Sequence, residues 1–123
     1  MPVSNVWRDY NIQRIRRYTS IPKLITVARS YLKNYSSELY ALISTLERAQ
    51  QLQELGLALL GEQFEAEKKL SHEVRSLIVA CHHHHALIAK TNFMDLEHDL
   101  LDADAHLHAL NGLLIGNKKS LHA

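Results

Sequence analysis

The stretch CHHHHALIAK, Cys81 to Lys90, sets the chain's only thiol beside four consecutive imidazoles. Thiolate and imidazole are the donors that hold zinc, so a metal site is the first chemistry to weigh. On a helix, successive residues turn by about 100°, and four in a row point almost all the way round the axis. They cannot converge on one ion, and only spaced pairs matter. The link Thr91–Asn92 is too short for anything but antiparallel neighbours, which brings His85 level with His98 and Cys81 level with Asp102. Cys81, His85, His98 and Asp102 then make two i,i+4 pairs of suitable donors. Their direction argues against the site. Continuing the apolar phase of the two helices turns Cys81 and His84 inward, His82 and His83 to solvent, and His98 and Asp102 away from the seam. The expectation is therefore a packed Cys81, a hydrogen bond from His84 to Asp99, and no bound metal or other cofactor. A pH-responsive histidine cluster is the remaining use, since imidazole titrates near neutrality.

Other reactive patterns are sparse. His98, Asp102 and His106 repeat every four residues as an exposed polar row, more simply read as a solvated face. The single Asp95-Leu-Glu-His98 has no second copy with which to build a di-metal centre. The sequence contains no glycine-rich phosphate loop, Gly-x-Ser-x-Gly, His-Glu-x-x-His or Cys-x-x-Cys. Catalysis is not expected.

Binding chemistry gathers at the other end of the chain. Residues 1–35 carry Arg8, Arg14, Arg16, Arg17, Lys23, Arg29 and Lys33 against Asp9 alone, whereas the remainder is acidic. Trp7, Tyr10, Tyr18, Tyr31 and Tyr35 are interleaved with these charges. Cations with stackable rings are the composition that grips nucleic acid, by neutralising phosphates and stacking bases. The favoured expectation is thus an accessory subunit contacting nucleic-acid backbone through Trp7, Arg8, Tyr10, Arg14, Arg16, Arg17, Tyr18, Lys23, Arg29 and Lys33. The alternative is a protein-binding adaptor, inhibitor or assembly factor, or a homo-oligomer, in which the basic segment meets an acidic protein surface. A metal-binding helical protein built on the Cys81 set comes third.

The elements that position these residues read as helices. SNVWRDYNIQRIRRYTS has no single apolar face and is expected as a short helix or arm over residues 1–19. Ser20 and Pro22 suggest a fresh start for SIPKLITVARSYLKNY, and Ser37 a cap for the next helix. Gly56 and Gly61 bracket an apolar LALL, predicting a loop or bend there. The alternative to that loop is the preceding helix continuing through EQFEAEKKL, and Ser71 is the expected cap of the next helix, running through Lys90. Asn92 and Asp95 suggest a capping box for the last helix. There Phe93, Leu96, Leu100, Ala103, Leu107, Leu110 and Leu114 alternate spacings of three and four, the stripe of a packed seam. The prediction is an all-α fold: a small antiparallel helical bundle of three main helices over residues 20–116, the basic N-terminal arm or short helix, and a short basic tail over 117–123.

Composition agrees with a single domain. The chain has 123 residues, 46% of them hydrophobic, and only four glycines and two prolines, so it can bury a core. One cysteine excludes an internal disulfide, and no apolar run is long enough to span a bilayer. With no signal-like apolar run among the first residues, a cytoplasmic protein without membrane contact is expected.

Overall fold

A computed structural model describes the backbone of residues 3–122 and the side chains of residues 5–116. The described residues form five helices: α1 Val3–Tyr31, α2 Ser36–Gln53, α3 Leu60–His82, α4 His85–Lys90 and α5 Phe93–His122. There is no strand among them, and the expected all-α bundle is the fold. Chain direction alternates around it. Tyr18 of α1 reaches Ala49 of α2, Thr45 of α2 reaches Glu73 of α3, and His82 near the end of α3 meets Glu97 near the start of α5. The longest contact is between α1 and α5, which run antiparallel: Arg16 meets Asp102, and further along Val6 and Tyr10 pack with Leu107 and Leu114.

The leucine stripe of α5 faces this interior. Phe93, Leu96, Leu100, Ala103, Leu107 and Leu114 are all buried, so the seam is satisfied within the chain. A larger core of Ile21, Leu24, Ala28, Leu42, Leu70, Leu77 and Cys81 joins α1, α2 and α3. Burying each large aliphatic side chain stabilises the fold by about 1.5–3 kcal/mol before chain entropy is counted.

Three boundaries differ from the sequence expectation. Residues 3–19 are not a separate arm, because α1 runs unbroken through Ser20 and Pro22. Pro22 forfeits one backbone hydrogen bond, but its ring lies on the exposed side while Ile21, Leu24 and Ile25 stay anchored in the core. Ser71 is not a cap: α3 begins at Leu60, and the Ser71 hydroxyl bonds back to the Glu67 carbonyl. That helix also stops at His82 instead of continuing to Lys90. His84 is extended (φ −113°, ψ 98°) and α4 starts afresh at His85. The other expected caps do not form either: Ser37 lies inside α2 and bonds only the neighbouring Glu38, and at α5 the hydroxyl of Thr91, not the Asn92 side chain, accepts the Phe93 N–H. Side chains of the predicted tail, 117–123, lie outside the described residues, as do Met1 and Pro2.

The glycine-bracketed stretch does form a turn, residues 54–59. Within the turn Gly56 has φ 62°, and Leu59 precedes α3 with φ 53°, a left-handed conformation costing a leucine about 1–2 kcal/mol. Gln63 braces this turn, its amide donating to the carbonyls of Gly56 at 2.8 Å and Ala58 at 2.6 Å.

Candidate functional site

The basic segment of α1 does not lie open to a ligand. Val6, Tyr10, Arg14, Arg17, Ile21, Leu24 and Ala28 fall on one helical stripe, and that stripe is the buried one. Arg14 is 0% and Arg17 1% exposed. Both guanidiniums enter the bundle opposite α3. Arg17 Nη2 donates to Glu67 Oε1 at 2.6 Å and to the Glu67 carbonyl at 3.0 Å. Its Nη1 donates to the Ser71 hydroxyl and lies 3.3 Å from Asp104 of α5. Arg14 Nη1 donates to Gln63 Oε1 at 2.8 Å and stands 3.9 Å from Glu67 Oε2. The other face of Arg14 covers Tyr10 and Trp7, at 4.9 Å and 5.1 Å from the ring centroids, an arrangement favoured by the ring quadrupoles. Tyr18 donates its hydroxyl to Glu67 Oε2. A buried carboxylate is tolerable only when its oxygens are occupied and its charge is met, as here.

Burial, with the Glu67 charge adding to it, pushes the hydroxyls of Tyr10 and Tyr18 well above the ordinary tyrosine range. At the outer edge, Arg16 forms the exposed counterpart of this network, 2.6 Å from Asp102 and 3.1 Å from Asp99. The hydrogen bond from Arg16 holds the Asp102 carboxyl below its usual value.

The acidic body therefore neutralises Arg14, Arg16 and Arg17 of the basic helix. Of the residues expected to bind nucleic acid, Tyr10, Arg14, Arg17 and Tyr18 are core, Trp7 is half-buried under Arg14, and Arg16 is paired. Arg8, Lys23, Arg29 and Lys33 remain exposed. The residues that hold the arginines, Gln63, Glu67, Ser71 and Asp104, were not among the expected site residues. A signal for two of them existed: extending the Cys81, Leu77, Val74, Leu70 stripe backwards by three and then four residues lands on Glu67 and Gln63.

The proposed metal donors are not brought together. The break at His83–His84 places His85 on α4 and removes the helical register that aligned it with Cys81. Asp102 is engaged by Arg16, and no cluster of three or more metal-donor side chains exists among the described residues. His84 is exposed rather than inward, and Asp99 faces Arg16 instead. His82 takes up the interhelical contact, with Nε2 at 2.5 Å from Glu97 and its ring edge-on to Phe93.

Cys81 is fully buried, as expected. Burial first, then the Glu97 charge, pushes its thiol up to about 11. Relative to an ordinary cysteine this lowers the thiolate fraction by about a hundredfold. Reaction of Cys81 with a disulfide reagent is accordingly expected to be at least about a hundredfold slower in the native protein than in urea, which a time course of thiol release checks.

Apolar exposure concentrates elsewhere. Leu55, Leu57 and Leu59, in the 54–59 turn, are 47%, 60% and 52% exposed, three large aliphatic side chains within five residues. Among the described residues, no helix is long and apolar enough to cross a membrane.

The sequence model of the LemA family matches residues 6–112, so the chain belongs to the LemA family. The match spans α1 to α5, including both buried arginines and their partners. No curated protein and no solved structure matches the chain.

Proposed function

We propose that this member of the LemA family is a non-enzymatic helical module that binds an apolar face of another protein through its α2–α3 turn. The observation that carries the reading is the exposure of Leu55, Leu57 and Leu59 on a turn held in shape by Gln63. A loop that only connects two helices is normally polar and tolerant of change. Here three leucines face water on a braced turn, one of them in a left-handed conformation, the pattern of a preformed apolar contact surface. Inward-turned Arg14 and Arg17 remove the two central cations from the nucleic-acid reading. The one thiol is buried and poorly ionised, which supports a module without covalent chemistry.

A photo-crosslinking residue at position 57 of the full chain tests this. It is expected to give one discrete protein adduct, insensitive to moderate salt and lost in the Leu55→Ser, Leu59→Ser background. The same crosslinker at Thr26, on the outer face of α1, is expected to give none. Equal labelling from both positions would refute a leucine-directed interface.

Polyanion binding survives as a second reading at the opposite end of the bundle. Arg29 and Lys33 line a groove of about 330 Å³ with Leu32, Ser36, Leu39 and Tyr40, where Tyr40 is 71% exposed. Salt-sensitive oligonucleotide binding lost in Arg29→Ala, Lys33→Ala would favour it. Trp7 fluorescence should then stay unchanged, because Trp7 lies near the other end of α1.

A further inference from the structure

The buried seam of α5 has a counterpart on the opposite side of the same helix. Met94, His98, Leu101, Ala105, His108, Gly112 and Ile115 alternate spacings of four and three, and all seven are exposed. At the helical rise this second stripe is about 32 Å long. The neighbouring α3 widens it. Contacts of Arg75 with Asp104 and of His82 with Glu97 set Val79 at the height of Leu101, and Val79 is exposed too. Such spacing is how one helix packs along another, yet among the described residues no helix covers this stripe. Its two halves differ in size and in charge. Met94, His98 and Leu101 make the first half bulky. The second half is shallow, because Ala105 and Ala109 are followed by Gly112 and Gly116, at each of which an added Cβ would meet nothing within 4 Å. Asp95, Asp99 and Asp102 flank the first half, three carboxylates against the one guanidinium of Arg16. Residues 105–122 contain no acidic residue and include His106, His108, Lys118 and Lys119.

We propose that this face of α5 pairs with the same face of a second copy of the chain, the two α5 helices running antiparallel. The complement of each half is found on the other half, which is what a two-fold contact between identical surfaces requires. Antiparallel pairing lays the bulky, acidic half of each copy on the shallow, acid-free half of the other, and it also opposes the helix dipoles. Parallel pairing would instead set Asp95 and Asp102 beside their own duplicates. With the two-fold axis at Ala105, Met94 comes level with the copy's Gly116, His98 with its Gly112 and Leu101 with its Ala109. Each large side chain then enters space that a glycine or alanine leaves open. A contact one helix wide lies at the small end of specific interfaces, so the dimer forms as concentration rises. It uses no residue of the α2–α3 turn, and it stands or falls independently of the contact proposed there.

Sedimentation equilibrium of the full chain reads the assembly, and single added cysteines read its direction. The mass is expected to rise with concentration from 14.1 kDa towards twice that value. Under mild oxidation Ala105→Cys should link to its own copy, since it lies on the axis, and the native Cys81 is buried and stays out of the reaction. Met94→Cys should not link, because antiparallel pairing holds the two positions about 33 Å apart. Gly112→Leu fills the shallow half and should weaken the dimer about tenfold or more. Leucine is the better helix former and has open space at that position, so the monomer keeps its fold. Leu57→Ser should leave the dimer unchanged. A chain that stays monomeric at every concentration, with Ala105→Cys unlinked, overturns the proposal. So does linking through both cysteines, which means parallel pairing, and so does a dimer lost in Leu57→Ser but kept in Gly112→Leu, which moves the interface to the leucine turn.

Discussion

Replacing Glu67 with leucine is expected to destabilise the chain by about 3–5 kcal/mol, the cost of leaving a buried charge without its partner. Glu67 is 4% exposed and is the one carboxylate that faces both buried guanidiniums. Without it, Arg17 keeps the backbone carbonyl of residue 67, Ser71 and Asp104 at 3.3 Å, Arg14 loses its nearest buried carboxylate, and Tyr18 loses its carboxylate acceptor. A domain of this size has roughly 5–15 kcal/mol in total, so one substitution removes a large share. Urea unfolding followed by helical circular dichroism measures it. The companion variant separates charge from packing. Arg14→Met, Arg17→Met and Glu67→Leu together remove the desolvated charges as a set, and are expected to recover most or all of the loss. A triple variant as unstable as Glu67→Leu alone would mean that the arginines stabilise by shape and by covering Trp7 and Tyr10, rather than by charge pairing.

Alkaline pH is expected to act just as strongly through Tyr10 and Tyr18. Both hydroxyls are raised in the folded protein, by burial first and by Glu67 second. In the unfolded chain they lose their protons near pH 10. The folded state therefore retains protons that the unfolded state has released, and stability falls as pH rises. The stabilisation is fully present below the unfolded value and is lost above it, at about 1.4 kcal/mol per pH unit for each tyrosine. Cys81, pushed up to about 11, adds the same sign of effect from near pH 9. Together the tyrosines should give a slope of about −2.7 kcal/mol per pH unit above pH 10. Urea titrations at stepped pH above about 11, where Cys81 no longer adds to the slope, read it, and Tyr18→Phe should roughly halve it. An unchanged slope in Tyr18→Phe would show that Tyr18 does not keep its proton through this range.

These two results probe the polar layer that the sequence conceals most effectively. Helicity was legible throughout, because apolar residues recur at three and four along α2, α3 and α5 and no segment alternates as a strand does. The seam of α5 was placed correctly at six of its seven residues, with Leu110 only partly buried, since leucine on such a stripe has one favourable destination. The same rule, applied to α1, marks Val6, Tyr10, Arg14, Arg17, Ile21, Leu24 and Ala28 as one continuous stripe. It was obscured because arginine is normally found at surfaces, and only a partner justifies its burial. The partner is Glu67, fifty residues away in sequence from Arg17 and brought near only by the folded bundle.

Sequence by itself thus determined the helices, the leucine seam and the burial of Cys81, since these follow from local periodicity and from the cost of leaving apolar surface in water. Tertiary structure decided where the charges went. The sign imbalance between the two parts of the chain was visible, but whether it would meet phosphate, a second copy or its own body depended on distance and desolvation. Its central part met its own body: Glu67, Asp99, Asp102 and Asp104 hold Arg14, Arg16 and Arg17 of α1. The histidine run was decided in the same way. The chain stops one helix at His82 and begins another at His85, and donors that were aligned on a continuous helix lose that alignment when the backbone between them becomes extended.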